Sequence, residues 1–113
     1  MQFHAVDTST QFRKMRDLAP EAFRAFLDFD QKAFKDGAIP AKMKELMAVA
    51  IAQITQCPWC VDAHTRKALR AGASDAEIAE TIFVAMAMAA GAAWSHGGLV
   101  LQCLQEHQAA QSP

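Results

Sequence analysis

Four residues that can carry thiol and acid–base chemistry lie within one short stretch of the sequence. Cys57 and Cys60 are three positions apart, and His64 follows Cys60 by four positions. Glu45 precedes Cys57 by twelve positions, and no charged residue stands between Glu45 and Asp62. Both sulfurs therefore lie at the end of an apolar segment, beside the first polar groups that follow it. This arrangement is typical of a reactive dithiol at the edge of a hydrophobic core.

The spacing within this stretch indicates how the groups would cooperate. In a helix that begins near Pro58, Cys60 and His64 share one face, so the imidazole can take or hold the thiol proton. Cys57 precedes that helix, where unpaired backbone N–H groups and the positive end of the helix dipole favour a thiolate. Glu45 lies on the preceding helix and can reach His64 directly or through water, which would orient the ring. Either sulfur could then attack an oxidant, and the other could close a disulfide.

The same residues are compatible with two other functions. One is a structural zinc site, in which three ligands come from Cys57, Cys60 and His64. The fourth ligand would be Cys103, His96 or Glu45. The sequence holds no second Cys-x-x-Cys and no His-x-x-x-His, so thiol chemistry is favoured over zinc. The other is a non-enzymatic redox sensor or oligomeric module, in which the same disulfide changes the affinity for a partner.

Two residues near the C-terminus need separate interpretation. His96 precedes Gly97 and Gly98, and a bend at these glycines would aim the imidazole at a pocket, including one on a neighbouring subunit. Cys103 lies in an apolar neighbourhood with no nearby sulfur. We therefore predict that Cys103 is a small buried hydrophobe and not a redox partner.

Every segment with a clear periodicity is predicted to be helical. The first helix opens at Pro20 and is ended by the segment Lys35–Gly37, and its phenylalanines form a broad apolar face that we expect in the core. The second spans 40–54 and has one stripe made of Met43, Leu46, Met47, Ala50, Ile51 and Ile54. Because Val49 and several alanines fill most of its remaining surface, we expect this helix at the centre of the fold. The third begins at Pro58, since proline is tolerated in a first turn, and stops at Gly72.

The C-terminal third of the chain is predicted to form two more helices. Ser74 and Glu77 have the spacing of a capping box, which opens a fourth helix that we expect to end near residue 90. Gly91 or its neighbours would separate it from a last helix ending near residue 105. Nothing in the sequence supports a strand of useful length. The prediction is an all-α bundle of about five to six helices.

The length, composition and charge of the chain limit its number of domains and the kinds of partner it can have. At 113 residues, 52% apolar and 20% charged, the chain can bury one core, and we predict a single domain over 1–113 with its core at about 20–105. The net charge is -1 and there is no basic stripe, so we expect no nucleic-acid partner. The segment 85–93 is almost wholly alanine and methionine, which suits either a tight bundle or a subunit interface.

The expected compartment follows from the termini and the cysteines. The first ten residues are polar and lack the apolar segment of a signal peptide. The uncharged run that contains Gln53, Gln56 and Pro58 is too short to span a bilayer, so we expect no membrane partner. Three cysteines, two of them only three positions apart, do not form a secreted disulfide scaffold. We therefore expect a cytoplasmic protein.

The motif residues also carry a family resemblance. Glu45, Cys57, Cys60 and His64 match the Glu-x11-Cys-x2-Cys-x3-His signature of the alkylhydroperoxidase D-like branch of the carboxymuconolactone decarboxylase family. The resemblance extends over about residues 20–100. It implies an all-α bundle that assembles into trimers or hexamers. We expect the protein to use no bound cofactor or metal. The resemblance also implies a peroxiredoxin-like enzyme that reduces a small hydroperoxide or disulfide and is re-reduced by a dithiol, which is a protein or a small molecule.

The resemblance assigns roles to individual residues. Cys60 resembles the sulfur that is deprotonated through the relay, Cys57 its disulfide partner, and His64 with Glu45 the relay itself. Trp59 stands where the well-studied peroxidase members carry a histidine, so it is a candidate accessory residue together with His96. The decarboxylase members lack the cysteine pair, and decarboxylation is therefore not implied.

Overall fold

The computed structural model describes residues 7–112, which form five α-helices and no strand. The helices are α1 (Ser9–Leu18), α2 (Pro20–Phe34), α3 (Ala41–Thr55), α4 (Pro58–Arg70) and α5 (Asp75–Gln111). The predicted all-α fold is confirmed, and α2, α3 and α4 lie close to their predicted positions. The short helix α1 is not predicted from the sequence, because its N-cap residue Thr8 makes no side-chain hydrogen bond and its first turn has no acidic residue.

α3 is the central helix, as its composition predicts. It packs against both α4 and α5, whereas α2 contacts it over a shorter length. Its buried face contributes Glu45, Leu46, Val49 and Ala52. The other buried apolar side chains of the described residues are Ala68, Ala73 and Ala85. The core is therefore small and consists mostly of alanine and aliphatic side chains, with one carboxylate among them.

A tight turn at Gln56 joins α3 to α4. Gln56 adopts the left-handed conformation (φ 55°, ψ 49°), which costs a non-glycine residue about 1 kcal/mol. The N–H of Cys57 donates to the carbonyl of Ala52 at 3.3 Å, which closes the end of α3. Pro58 then occupies the first turn of α4, as predicted. The turn places the cysteine pair directly beside the end of the central helix.

Glycine and a capping box define the boundary between α4 and α5. Gly72 has a φ of 96°, and the N–H of Ala73 donates to the carbonyl of Ala68 at 2.9 Å in a Schellman-type ending. Ser74 then caps α5, because its hydroxyl accepts from the N–H of Glu77 at 3.1 Å. The Glu77 carboxylate accepts in return from the N–H of Ser74 at 2.9 Å. Both the stop at Gly72 and the capping box are confirmed.

The predicted break near Gly91 is wrong. α5 continues without interruption from Asp75 to Gln111 and includes Gly97 and Gly98. A glycine inside a helix costs only about 1 kcal/mol relative to alanine, and the many alanines around these positions favour the helix. The predicted bend at Gly97 and Gly98 is therefore absent.

Two apolar faces that the sequence places in the core are exposed in the protomer. On α2 the exposed side chains include Phe26 and Phe29. On α3 most of the predicted stripe is exposed, namely Met43, Met47, Ile51 and Ile54. α3 buries the opposite face because that face carries Glu45, whose carboxylate has its partner inside the protomer. Cys103 is also exposed, contrary to prediction, because the outer part of α5 extends past the other helices.

The protomer is much more extended than a folded monomer of its size. Its radius of gyration is 20.3 Å, against about 13 Å expected for a compact domain of this length. Its accessible surface is 8972 Å², against about 6,100 Å² expected for a monomer of this mass. The cause is α5, whose 37 residues span about 55 Å at 1.5 Å per residue. Much of the surface left open by this helix is apolar.

α5 also has the length and apolar composition of a membrane-spanning helix. Between Glu80 and Glu106 it carries no Asp, Glu, Lys or Arg, so the chain contains a longer uncharged run than the one before Asp62. Core helices of soluble proteins meet the same criteria, and this single helix is weak support for a membrane span. The absence of a membrane partner stays a prediction.

The capping box predicts how stability depends on pH. The N–H of Ser74, with the ammonium of Lys42 at 2.9 Å, holds the pKa of Glu77 below its ordinary value. A lowered carboxyl pKa stabilises the fold above the unfolded-state pKa, and this contribution is lost as pH falls through the folded-state value. Glu77→Gln should therefore lower the free energy of unfolding at neutral pH and flatten its decline in acid.

Urea unfolding followed by circular dichroism across the acidic range measures both quantities. Glu80→Gln, an exposed change on the same helix, is the matched control and should leave the profile close to that of the parent protein. Identical profiles for both variants would show that Glu77 does not stabilise the start of α5.

Candidate functional site

A buried hydrogen bond between α3 and α4 forms the centre of the candidate site. Oε2 of Glu45 lies 2.6 Å from Nδ1 of His64, and the two side chains are only 10% and 16% exposed. The sequence allows a direct or a water-mediated contact, and the structure shows the direct one. A buried carboxylate without a partner is costly, so this bond fixes the imidazole and holds the two helices in register.

The ring of His64 is also held by an aromatic neighbour. The rings of Phe34 and His64 are stacked, with centroids 5.0 Å apart and planes inclined by 19°. Phe34 comes from the end of α2, so three helices meet at the imidazole. With Nδ1 committed to Glu45, Nε2 is the ring atom that can accept a proton from a thiol or a substrate.

Cys57 and Cys60 form a disulfide at the start of α4, with their Cα atoms 5.2 Å apart. Cys57 is the N-cap residue of α4, and its sulfur accepts from the N–H of Cys60 at 3.2 Å. A backbone N–H aimed at this sulfur favours a thiolate when the pair is reduced. Cys60 lies one turn before His64 on the same face of α4, as the spacing predicts.

A cavity of about 370 Å³ opens beside the redox pair. Cys60 and His64 line it together with Lys44, while the rest of its wall is almost wholly apolar. The side chains of the wall come from α2, α3 and the connection between them, and include Ala33, Phe34, Ile39, Met47, Ala48 and Ile51. The ammonium of Lys44 donates to the carbonyl of Lys35 at 2.7 Å. An organic molecule that enters this cavity therefore meets one sulfur and the oriented imidazole.

The accessory residues lie away from this cavity. Trp59 is half exposed, and its indole makes an edge-to-face contact with Phe12 of α1 at a centroid distance of 6.0 Å. His96 and Cys103 are exposed on the outer part of α5 and do not line the cavity. Among residues 7–112, no three His, Cys, Asp or Glu side chains form a group that could hold a metal ion.

Sequence reasoning does not identify the residues that shape the site around the motif. Phe34 looks like ordinary core in the sequence, yet it stacks on the catalytic candidate His64. Met47 and Ile51 belong to the stripe that the sequence assigns to the core, yet they line an open cavity. The available signal is Glu45, because a helix that must bury one carboxylate turns its opposite face outward.

Comparison with known proteins gives the family. A model of the carboxymuconolactone decarboxylase family matches residues 20–102, which is most of the chain. The chain belongs to the carboxymuconolactone decarboxylase family. Its Cys-x-x-Cys pair, closed as a disulfide, fits the alkylhydroperoxidase D-like branch of that family.

Two of the proteins that are similar in sequence to this chain come from Paracoccus denitrificans and Mycobacterium tuberculosis. An uncharacterized protein of the cox locus of Paracoccus denitrificans is 46% identical over 82 residues, which are 73% of this chain and 74% of the relative. An alkyl hydroperoxide reductase of Mycobacterium tuberculosis is 42% identical over 67 residues. That match covers 54% of this chain and 19% of the longer reductase.

A solved structure of the same family supports the fold. A carboxymuconolactone decarboxylase family protein of Legionella pneumophila, crystallised in its apo form, superposes with a TM-score of 0.69 at 35% identity. The match covers 88% of this chain and 89% of the Legionella chain. The helical fold is therefore shared with this member of the family.

The hydrogen bond to Glu45 predicts the tautomer of His64. Because the carboxylate accepts at Nδ1, neutral His64 should carry its proton on Nδ1 and leave Nε2 unprotonated. Nitrogen-15 NMR of the imidazole distinguishes the two tautomers. His96, which is exposed, is the internal control and should show the mixture typical of a solvated ring. A His64 that carries its proton mainly on Nε2 would contradict the geometry.

The cysteine geometry predicts which thiols pair. Mild peroxide treatment of the reduced protein should produce one intramolecular disulfide per chain, between Cys57 and Cys60, because these sulfurs are already adjacent. Cys103 is exposed on α5 and should stay available to alkylation. Peptide mapping after alkylation identifies the linked peptides. Cys103 in the main disulfide would contradict this assignment.

Proposed function

We propose that this protein is a thiol-dependent peroxidase that reduces a hydroperoxide by cycling Cys57 and Cys60 between dithiol and disulfide. The observation that carries the proposal is the cavity in which Cys60 meets His64, whose ring is fixed by the buried carboxylate of Glu45. A thiol, a general base and an orienting carboxylate are the parts that thiol peroxide chemistry requires. An apolar cavity beside them suits an organic hydroperoxide.

The proposed cycle begins with proton transfer. Nε2 of His64 takes the Cys60 thiol proton, and Glu45 stabilises the resulting imidazolium. The Cys60 thiolate attacks the outer oxygen of the hydroperoxide and the O–O bond breaks. The alkoxide leaves with the proton from His64 as an alcohol, and Cys60 becomes a sulfenic acid.

The second half of the cycle closes and reopens the disulfide. Cys57 gives up its thiol proton, and its thiolate, stabilised by the N–H of Cys60, attacks the sulfenic sulfur. The sulfenic oxygen leaves with that proton as water, and the disulfide forms. A dithiol reductant then reduces the disulfide by thiol–disulfide exchange. Both cysteine thiols are restored, and the reductant leaves as its own disulfide. The oxidant is reduced by two electrons, and the dithiol supplies them.

The relatives support this proposal in general terms. The Mycobacterium tuberculosis relative is named an alkyl hydroperoxide reductase, although its match with this chain covers a small part of it. The Paracoccus relative carries no assigned activity. We propose Trp59, half exposed beside the cysteines, as the side chain that contacts the dithiol. His96 has no part in the proposed cycle within one protomer.

We also propose that the protein works as a cytoplasmic homo-oligomer, a trimer or a hexamer. The extended shape and the exposed apolar faces of the protomer support association, because soluble monomers rarely expose apolar patches of this extent. The proposed cycle needs neither a bound cofactor nor a metal ion.

Turnover with an excess of reductant tests the proposed function. With an organic hydroperoxide and a small dithiol such as dihydrolipoamide, the protein should consume many equivalents of peroxide per chain. Cys57→Ser and Cys60→Ser should each abolish turnover, because each removes one sulfur of the cycle. Cys103→Ser should leave it unchanged, since this thiol lies outside the cavity.

Two outcomes would contradict the proposal. A protein that oxidises once and then stops, with excess dithiol present, is a sensor and not an enzyme. Stoichiometric zinc in the purified protein, with loss of helicity on chelation, indicates a structural metal site instead.

A further inference from the structure

We infer that α5 of a second copy packs against the exposed stripe of α3 and covers the cavity beside Cys60 and His64. The outer segment of α5 is defined as residues 91–111, and the α3 stripe as Met43, Met47, Ile51 and Ile54. The docking geometry rests on the protomer alone. The identification of the covered cavity as an active site rests on the proposed peroxidase function.

The outer segment of α5 has an apolar face that nothing in the protomer covers. At 100° per residue, the face occupies about 120° of the helix surface. Between residues 93 and 104 it consists of Ala93, Trp94, Gly97, Val100, Leu101 and Leu104, and Gln108 and Gln111 follow on the same side. Trp94 is 85% exposed and Leu101 is 61% exposed. Ser95, Gln102 and Glu106 lie on the opposite side, where Leu99 is also exposed. The most continuous apolar surface of this segment is therefore the face that contains Trp94 and Leu101.

The spacing on this face indicates a helical partner. Trp94 and Leu101 are seven residues apart, and so are Gly97 and Leu104, which is the repeat of packed helices. A Cβ atom placed on Gly97 would meet no atom within 4 Å, so the notch between Trp94 and Leu101 is open. A backbone can approach such a notch closely. The partner that fits is a helix with its own uncovered apolar stripe.

The α3 stripe meets this description. Met47 is 45% exposed and Ile51 is 57% exposed, although both belong to the central helix of the fold. No charged residue occurs on α3 after Glu45, so the stripe continues without a charge to the end of the helix. Met47 and Ile51 also line the cavity that contains Cys60 and His64. A helix laid along the stripe therefore covers the cavity.

The two faces cannot meet within one chain. The start of α5 is fixed to the protomer by the capping box and by the ion pair between Lys42 and Glu77. The first part of α5 packs against α3, and the helix then continues without a break past the other helices. Folding the outer segment back onto its own α3 would require a break that the helix does not have. A second copy supplies the missing face without any such change.

The available area is sufficient for a stable assembly. The protomer exposes about 2,900 Å² more than a compact monomer of its mass. A specific interface needs about 800 Å² from each partner. Each chain has both an outer segment and an α3 stripe. Its outer segment can therefore pack on the stripe of one copy while its own stripe is covered by the outer segment of the same or another copy. A reciprocal exchange closes a dimer, and a head-to-tail exchange closes a ring.

A charge placed in the outer segment tests the inference. Leu101→Lys should weaken association by about 100-fold or more, because the interface would bury an unpaired ammonium. Leu18→Lys is the matched control, since Leu18 is 75% exposed on α1, outside the proposed interface. Light scattering at micromolar concentration should find assemblies for the parent protein and for Leu18→Lys, and monomers of 12.3 kDa for Leu101→Lys. Circular dichroism should show retained helicity for both variants.

The same proteins test whether the second copy covers the cavity. In the reduced, dissociated Leu101→Lys protein, iodoacetamide should alkylate Cys60 about tenfold faster or more than in the assembled parent, because the covering helix has gone. The alkylation rate of Leu18→Lys should match that of the parent. Equal rates in monomer and assembly would overturn the inference, and so would a monomeric parent protein. Neither result bears on peroxide turnover by the parent, which tests the proposed function separately.

Cross-linking tests the register directly. In a background with Cys57→Ser, Cys60→Ser and Cys103→Ala, chains that carry Ile51→Cys are mixed with chains that carry Leu101→Cys. An intermolecular disulfide should form between these chains and should not form when Leu18→Cys replaces Ile51→Cys. Equal yields for the two pairs would overturn the proposed contact. Assembly only in the presence of lipid vesicles would also overturn it, since α5 would then bind a membrane.

Discussion

Burial of the Glu45 carboxylate is the constraint on which the rest of the structure depends. A carboxylate inside a small apolar core is stable only with a partner, and the partner is Nδ1 of His64 at 2.6 Å. This bond decides which face of α3 turns inward and which face of α4 meets it. It also orients the imidazole toward the cavity that Cys60 lines. The same bond that satisfies the core therefore prepares the site for proton transfer.

The turn at Gln56 completes the arrangement. Its left-handed backbone brings α4 back against α3, so residues nineteen positions apart share a hydrogen bond. Cys57 caps the new helix with its sulfur, and Pro58 fixes the first turn. The sulfur of Cys57 therefore accepts from the N–H of Cys60, one of the N–H groups at the start of α4 that have no partner within the helix. The local structure of the motif and its proposed chemistry use the same backbone donors.

Local signals in the sequence predict most of the helices and the contact between Glu45 and His64, but they do not predict which helix faces are exposed. Pro20, Pro58, Gly72 and the capping box at Ser74 mark boundaries through backbone geometry, which depends on a few neighbouring residues. The direct contact of Glu45 with His64 follows from motif spacing once α3 and α4 are antiparallel neighbours. The orientation of α3 does not follow from its apolar pattern, because a helix apolar nearly all round has no hydrophobic pattern that selects one face, and the burial of Glu45 is the only signal that does. The continuity of α5 through its glycines, and the exposure of Cys103, depend on tertiary contacts that local signals do not contain.

The central claim is that Glu45 and His64 act as one proton relay for Cys60, and the pH dependence of Cys60 alkylation in the reduced protein tests it most directly. Glu45→Gln and His64→Gln should each slow alkylation near neutral pH by at least about tenfold, and the double variant should be little slower than either one. The rates should approach that of the parent protein at alkaline pH, where hydroxide forms the thiolate without the relay. Parent-like rates for both folded variants between about pH 6 and 9, the range that spans the ordinary histidine and cysteine pKa values, would contradict the account. Glu45 and His64 would then hold the helices together and have no part in the chemistry.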